Sequence, residues 1–367
     1  MRSFFPREPA APLATMATEA MVQHQARRNV IALRQVSGLG DVGVARLLSL
    51  HGDATRALHS VAAERRDAAL LEADRILADL QRIGGEAVTA GCDRYPARLL
   101  ELSDAPPVIY AQGTLASAHP PAVAIVGTRA ASAYGLRVAR AIATACARAG
   151  VTIVSGLARG IDGAAHDAAL AAGGRTVAVL GTGLDVYYPR THRALQDRIA
   201  RDGLLLTEQK PGDSGHGGTF PRRNRIIAAL ADLTVVVEAG KGSGALITAD
   251  HALELNRMVA CVPNAIDQVS SMGSNALLKM HAEPILSVDD VLALLRVDRS
   301  TSTHVALDGD AARCWDALQR GARDIDQIAA AAQMRPREAA AVLSALEIDG
   351  LVHFGPSGHV YPSVSVS

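Results

Sequence analysis

The sequence predicts an α/β protein built on a doubly wound parallel sheet, and three observations carry that reading. Residues 123–126, 151–154, 176–180, 204–207, 233–237 and 258–262 are short unbroken apolar runs. Helical patterns separate them at 134–149, 191–201, 221–229 and 245–255, with another at 274–280. Strands buried on both faces read this way, because helices cover both sides of a parallel sheet. The third observation is that several runs end in loops of Gly, Ser and Thr, at the strand ends where such sheets hold ligands.

Taken in order, residues 1–21 carry Pro and charge where a secretory signal needs an apolar core, and are expected to be a disordered leader. Residues 22–90 read as a helical domain. Within it Gly38-Leu39-Gly40 precedes apolar residues at helical spacing, the pattern of a helix-hairpin-helix. Such a turn either faces a phosphate with free helix N–H groups or simply makes a tight corner. Residues 91–121 form a proline-rich connector in which 108–110 is expected to be an edge strand. The sheet domain then runs to 296, ending in an expected strand at 284–287. Residues 297–309 are a polar linker. Residues 310–367 have the helix-turn-helix and short β pattern of a winged helix, with 335–349 as its second helix. That helix is more apolar than a DNA-reading helix, which favours protein contact slightly over DNA contact.

Composition narrows the function. The chain has 367 residues, 37 basic and 37 acidic, so binding to a polyanion requires a local basic patch. No apolar stretch has the length of a membrane span. Cys92, Cys146, Cys261 and Cys314 are scattered without zinc or redox spacing, as expected of a reduced cytoplasmic protein without metal or cofactor.

Four strand-end loops have the residues to hold phosphate. The first offers Gly127, Thr128, Arg129, Ser132, Tyr134 and Gly135; the second Ser155, Gly156, Arg159, Gly160 and Asp162. Gly permits close backbone approach, while Ser, Thr and Arg supply donors. The third runs Gly218-Thr219-Phe220-Pro221-Arg222-Arg223-Asn224-Arg225. Pro221 suits a first helical turn, and Arg222 and Arg225 fall three apart on one face, so both are expected to meet phosphate. The fourth contains Lys241, Gly242, Ser243 and Gly244. Within these loops neither G-x-G-x-x-G nor G-K-[ST] occurs, so they form neither a dinucleotide fingerprint nor a P-loop. Ser155, Asp162 and His166 could be arranged as a triad, but the simpler reading is that Asp162 organises its loop and His166 packs beside it.

The combination VGTRAASAYG (126–135), SGLARGIDGAAH (155–166), FPRRNRIIAAL (220–230), VVVEAGKGSGALITA (235–249) and Gly273-Ser274-Asn275 resembles the DNA-processing protein A (DprA/Smf) family. The resemblance covers about 95–290. It implies an extended Rossmann-like domain flanked by a helical domain like a sterile alpha motif and a winged helix. It further implies a non-enzymatic protein that binds and protects single-stranded DNA, loads RecA during natural transformation or homologous recombination, and forms a homodimer through the Rossmann-like domain. By position, the DNA-facing residues would be Arg129, Arg159, Arg222, Asn224 and Arg225. Gly127, Ser132, Ser155, Gly156, Gly242, Ser243 and Gly244 would add backbone or hydroxyl contacts, and Phe220 would stack on a base or pack in the core. The chain departs from the family at Asn264, where a Gly is usual; Asn tolerates left-handed backbone, so the turn is expected to survive. Glu208-Gln209-Lys210-Pro211 also departs, with Lys210 adding charge near the groove. Two other readings use the same loops: a hydrolase of nucleoside monophosphates with Glu238 or Glu254 as its acid, and a nucleotide-sensing regulator that binds duplex DNA through the winged helix.

Overall fold

The computed structural model describes residues 13–280, 282–297, 307, 309–348, 351–355 and 358–362. The chain divides into two compact units, residues 1–302 and 303–367.

The first unit opens with helices α1 (Leu13–Gln35), α2 (Asp41–His51), α3 (Ala54–His59) and α4 (Ala63–Ile83). Residues 13–21 are thus the start of a long helix rather than a leader, while 1–12 lie outside the described residues. The sheet elements follow: β1 (Glu86–Thr89), β2 (Val108–Gly113), β3 (Ala122–Val126), α5 (Ala133–Arg148), β4 (Thr152–Ser155), α6 (Ile161–Ala171), β5 (Thr176–Leu180), α7 (Arg193–Asp202), β6 (Leu204–Thr207), α8 (Thr219–Leu230), β7 (Leu233–Val236), α9 (Gly244–Glu254), β8 (Met258–Cys261), α10 (Met272–Lys279), β9 (Glu283–Pro284) and α11 (Val288–Leu294).

Nine strands form one sheet in the order β1-β2-β6-β5-β4-β3-β7-β8-β9. From β6 to β9 every pairing is parallel. The parallel winding starts at β3, runs outward through β4, β5 and β6, then returns to place β7 beside β3. The switch in winding direction therefore falls between β3 and β7, where open α/β sheets form their crevice.

Two expectations about strands need correction. Residues 108–110 belong to an internal strand: β2 pairs antiparallel with both β1 and β6, and β1 takes the edge. The expected strand at 284–287 shrinks to the two residues of β9. Ser287 instead caps α11 through a reciprocal box with Asp290, which ends the strand and starts a helix.

Alternate side chains of the strands feed opposite faces. Val123, Ile125, Ile153 and Val235 pack under α5 and α6. Ala124, Val126, Val154 and Val236 pack under α8 and α9. Among the described residues the N-terminal helices have no separate core. Ile31, Leu33, Leu58, Ile76 and Leu80 share one cluster with Val108, Tyr110, Ala178, Leu180 and Leu205 of the sheet. Burial on this scale, at about 1.5–3 kcal/mol per large side chain, joins the helical segment to the β2–β6–β5 flank.

In the second unit α12 (Gly309–Gln319), α13 (Ile325–Ala332) and α14 (Pro336–Ile348) pack around Leu318, Ile328 and Leu343, closed by the hairpin β10 (Val352–Phe354) and β11 (Val360–Pro362). This is the winged-helix arrangement. The exposed part of α14 carries Arg337, Ala341, Ser344, Ala345 and Glu347, and Glu338 is paired with Arg335 at 2.7 Å. Of the linker, 298–306 and 308 lie outside the described residues, and Gly309 already belongs to α12. Among the described residues no helix is long and apolar enough to cross a membrane.

Candidate nucleic-acid interface

The loops after β3, β4, β5 and β7 meet at the carboxyl-terminal edge of the sheet, and close packing fuses them. The Thr128 N–H donates to the Glu238 carbonyl at 2.7 Å, across the β3–β7 switch. A side chain at Gly127 would collide with Ile161 and the Glu238 carbonyl. Gly160 has φ +78°, and its missing Cβ leaves room for the Thr128 carbonyl. The switch-point crevice is thus filled by protein.

The helix N-termini at this edge hold their own carboxylates. At α5, Glu238 accepts from the Ser132 N–H at 3.1 Å and its hydroxyl at 2.7 Å, while Ser132 Oγ accepts from the Gly135 N–H. At α6, Asp162 accepts from the Gly156 and Ala158 N–H groups at 3.1 and 3.3 Å. Burial pushes the Asp162 carboxyl up from the carboxylate range, while Arg223 and those two amides pull it back. At α9, Ser243 caps its own helix by accepting from the Ala245 N–H. In the N-terminal segment, Asp41 sits in the first turn of α2, directly after the Gly38-Leu39-Gly40 turn. A carboxylate in that first turn repels phosphate and itself meets the helix dipole, so the glycines of that turn make a corner.

These bonds change the roles expected of several residues. Ser155 is buried and its hydroxyl donates to the Ile125 carbonyl at 2.6 Å, so it offers nothing to a ligand. The Gly156 N–H is already committed to Asp162. His166 accepts no nucleophile's proton: it is fully buried against Thr176 Oγ1 at 2.7 Å, and burial lowers its pKa to about 3, which keeps it neutral. Ser155, Asp162 and His166 are three structural supports, not a triad.

The R-R-N-R run of α8 divides into different fates. Arg225 is buried, with a side chain only 5% exposed, and bonds to Glu208 at 2.7 and 2.9 Å and Asp104 at 2.8 and 2.9 Å. It cannot meet phosphate, and the expectation that it does is wrong. Glu208, one of the departures from the family pattern, is its counter-ion. Arg223 is also buried; its guanidinium donates to the carbonyls of Gly156 and Val179, and burial lowers its pKa to about 10. It braces two strand-end loops, and its expected direct role in DNA contact is corrected accordingly. Asn224 holds the Gly244 carbonyl at 3.0 Å, which ties α8 to the Gly-rich loop and gives it a bracing role as well. Arg222 alone keeps substantial exposure, at 47%, and pairs with Asp41 at 2.5 Å. Lys210 is likewise paired, with Glu72 of α4 at 2.5 Å.

Asn264 also behaves differently from expectation. Its backbone is not left-handed. Its Nδ2 instead donates to the carbonyls of Val237 and Val262, and it exchanges two hydrogen bonds with Asn275. Side-chain bonds, not a left-handed φ, hold that turn.

What remains open at the edge is a small set. Arg129, Arg159 and Lys241 are exposed and make no ion pair or side-chain hydrogen bond among the described residues. Gly242, at φ +72°, has open space around it. Arg129 shares a cleft with Gly156, Gly181, Thr182, Tyr188 and Phe220. The Tyr188 and Phe220 rings lie 4.8 Å apart, tilted by 38°. Tyr188, 44% exposed, did not emerge from the strand-end motifs. Its signal was two adjacent tyrosines beside a Gly-Thr-Gly loop in a chain of 3% aromatics. The enclosed volume of this cleft is about 10 Å³, room for roughly one water. It is a shallow surface, too small to enclose a mononucleotide.

The hydrolase reading finds no assembled acid pair. Glu238 is buried beneath Ser132, and Glu254 ends α9, some 15 Å along the helix from the strand-end loop. No group of metal-binding side chains occurs among the described residues.

Comparison with known proteins agrees with this architecture. Residues 86–296 match the family model of DNA recombination-mediator protein A, and residues 299–358 match the DprA winged helix domain. A putative DNA processing protein DprA of Mycobacterium tuberculosis is 41% identical over 305 residues, covering 76% of this chain and 78% of that protein. The X-ray structure of DprA from Streptococcus pneumoniae superposes with a TM-score of 0.63 at 35% identity, covering 73% of this chain and 97% of the other. A Helicobacter pylori DNA processing protein A, described for its unique single-stranded DNA binding mode, superposes with a TM-score of 0.53 at 29% identity over 58% of this chain and 95% of that one. With its nine-stranded Rossmann-like sheet, its winged helix and a family match across more than half its length, the chain belongs to the DNA recombination-mediator protein A (DprA/Smf) family.

Proposed function

We propose that this chain binds single-stranded DNA along the carboxyl-terminal edge of its sheet, protects it, and passes it to RecA in recombination, including natural transformation. It acts in the cytoplasm as a homodimer and carries out no chemical step. One observation carries the reading: Arg129, without a carboxylate partner among the described residues, lies in a shallow cleft beside the Tyr188 and Phe220 rings. Guanidinium groups hold phosphate, and aromatic faces accept unstacked bases whatever their sequence. Bases in a duplex are not available for stacking, so this pairing of charge and ring selects single strands. The anion sites at the helix N-termini are filled by Glu238 and Asp162, which leaves exposed side chains to do the gripping.

The test is a salt titration of binding to single-stranded and duplex oligonucleotides of equal length, with the native chain and Arg129→Ala. Preference for the single strand is expected, with a log–log salt slope smaller by about 0.7 in the variant. Equal affinity for duplex, or an unchanged slope in the variant, would sink the proposal.

A further inference from the structure

We infer that a second cleft, between α7 and the β2–β6 flank of the sheet, binds a small aliphatic cation: an ammonium or guanidinium group on a short alkyl chain. The cleft has a volume of about 380 Å³ and shares no lining residue with the cleft of Arg129. That volume is within the range of small-ligand sites. Ile83 and Leu205 give it apolar walls.

Apart from Arg201 and the Tyr187 hydroxyl, its polar lining consists of carboxylates and amides. Gln196 is 2% exposed, and its Nε2 donates to the Leu184 and Val186 carbonyls at 3.1 and 3.4 Å. That fixes the amide and leaves Oε1 with no donor among the described residues. Gln112 repeats the arrangement, with Nε2 on the Ile83 carbonyl at 2.7 Å and a vacant Oε1. Asp185 takes the Gly212 N–H on one oxygen at 2.8 Å, and Asp197 takes the Tyr187 hydroxyl on one oxygen at 2.8 Å. The second oxygen of each receives no hydrogen bond among the described residues. Four vacant acceptors, two of them on carboxylates, therefore line a single cleft. The cation in the lining, Arg201, is bonded to Asp202 through two nitrogens at 3.0 and 3.1 Å, and its charge also acts on Asp197 without a hydrogen bond to it.

A ligand for such a surface must be rich in donors, and the carboxylates favour one that is charged. A guanidinium or ammonium meets both demands, and a short alkyl stem would lie against Ile83 and Leu205. A phosphate-bearing ligand would face two like charges, so this cleft is not an extension of the DNA surface. The same chemistry is found in a free polyamine and in the arginine or lysine side chain of a partner protein.

Calorimetric titration of the full chain with butylguanidinium, and with its neutral counterpart butylurea, tests the assignment. The double variant Asp185→Asn/Asp197→Asn keeps an oxygen for Gly212 and one for Tyr187, so its unfolding midpoint should match the native chain. Saturable binding of butylguanidinium is expected, at least tenfold weaker for butylurea and for the double variant, with single-stranded DNA affinity the same in both chains. Spermidine and N-acetylarginine amide then separate the sources: tighter binding of the first assigns a free polyamine, tighter binding of the second a protein side chain. No saturable binding up to concentrations on the order of 10 mM, equal binding of butylurea, or undiminished binding by the double variant would overturn the inference.

Discussion

Three arginines within four residues of α8 have three different surroundings, and the difference lies in partners remote in sequence. Arg225 meets Asp104, 121 residues before it, and Glu208, 17 residues before it. Arg222 meets Asp41, 181 residues before it. The helical spacing of the run was legible, because periodicity is local. Which guanidinium would be left for a ligand was not, because counter-ions are supplied by the fold. Arg129 and Arg159 could be picked out for the opposite reason: each follows a short loop from a strand end, where little of the chain can reach it. The energetics separate the two classes. Removing one member of a buried ion pair leaves an uncompensated charge, at a cost of about 3–5 kcal/mol. Arg225→Met should therefore lower the free energy of unfolding in urea by that amount, whereas Arg129→Ala should change it by no more than about 0.5 kcal/mol. A loss under about 1 kcal/mol in Arg225→Met would mean that the network with Glu208 and Asp104 contributes little to the fold.

At the level of elements, the parallel strands β3 to β8 were legible because each is a short apolar run buried on both faces. Strand β1 was not, since Glu86-Ala87-Val88-Thr89 is four residues long and carries charge. The interior position of β2 is a matter of topology, which no local pattern encodes. The start of α2 was the least legible element. A Gly-Leu-Gly turn before a helix suits a phosphate, but the next residue, Asp41, puts a carboxylate in that first turn and binds Arg34 at 2.8 Å as well as Arg222. With Glu72 on Lys210, acids of the N-terminal helices neutralise two cations of the sheet domain. If Arg222 can grip a phosphate, Asp41 competes with it. Asp41→Asn should strengthen single-stranded DNA binding several-fold and steepen the salt slope by about 0.7, and adding Arg222→Ala should cancel both effects. Weaker binding in Asp41→Asn would instead mean that the carboxylate orients Arg222 for its ligand.

Across the whole molecule the formal charge is zero, so long-range attraction of DNA is weak and affinity depends on local contacts. Arg129, Arg159 and Lys241 are the exposed cations of the loops after β3, β4 and β7 that have no partner among the described residues. Three phosphate contacts on a single strand correspond to a log–log salt slope of about −2. That value is modest for the strand protection proposed above, and it would give the proposed dimer a physical purpose. Two copies joined through the sheet domain would present two such edges, and a strand long enough to cross both would make the second contact at the high effective concentration of a tethered ligand. The slope should then depend on oligonucleotide length, near −2 for a strand that covers one edge and near −4 for one that spans two. Stoichiometry in the same titrations should shift from one strand per chain to one strand per two chains as the oligonucleotide lengthens. A slope that stays near −2 at every length would mean that each copy binds DNA alone, and that the dimer serves some step other than grip.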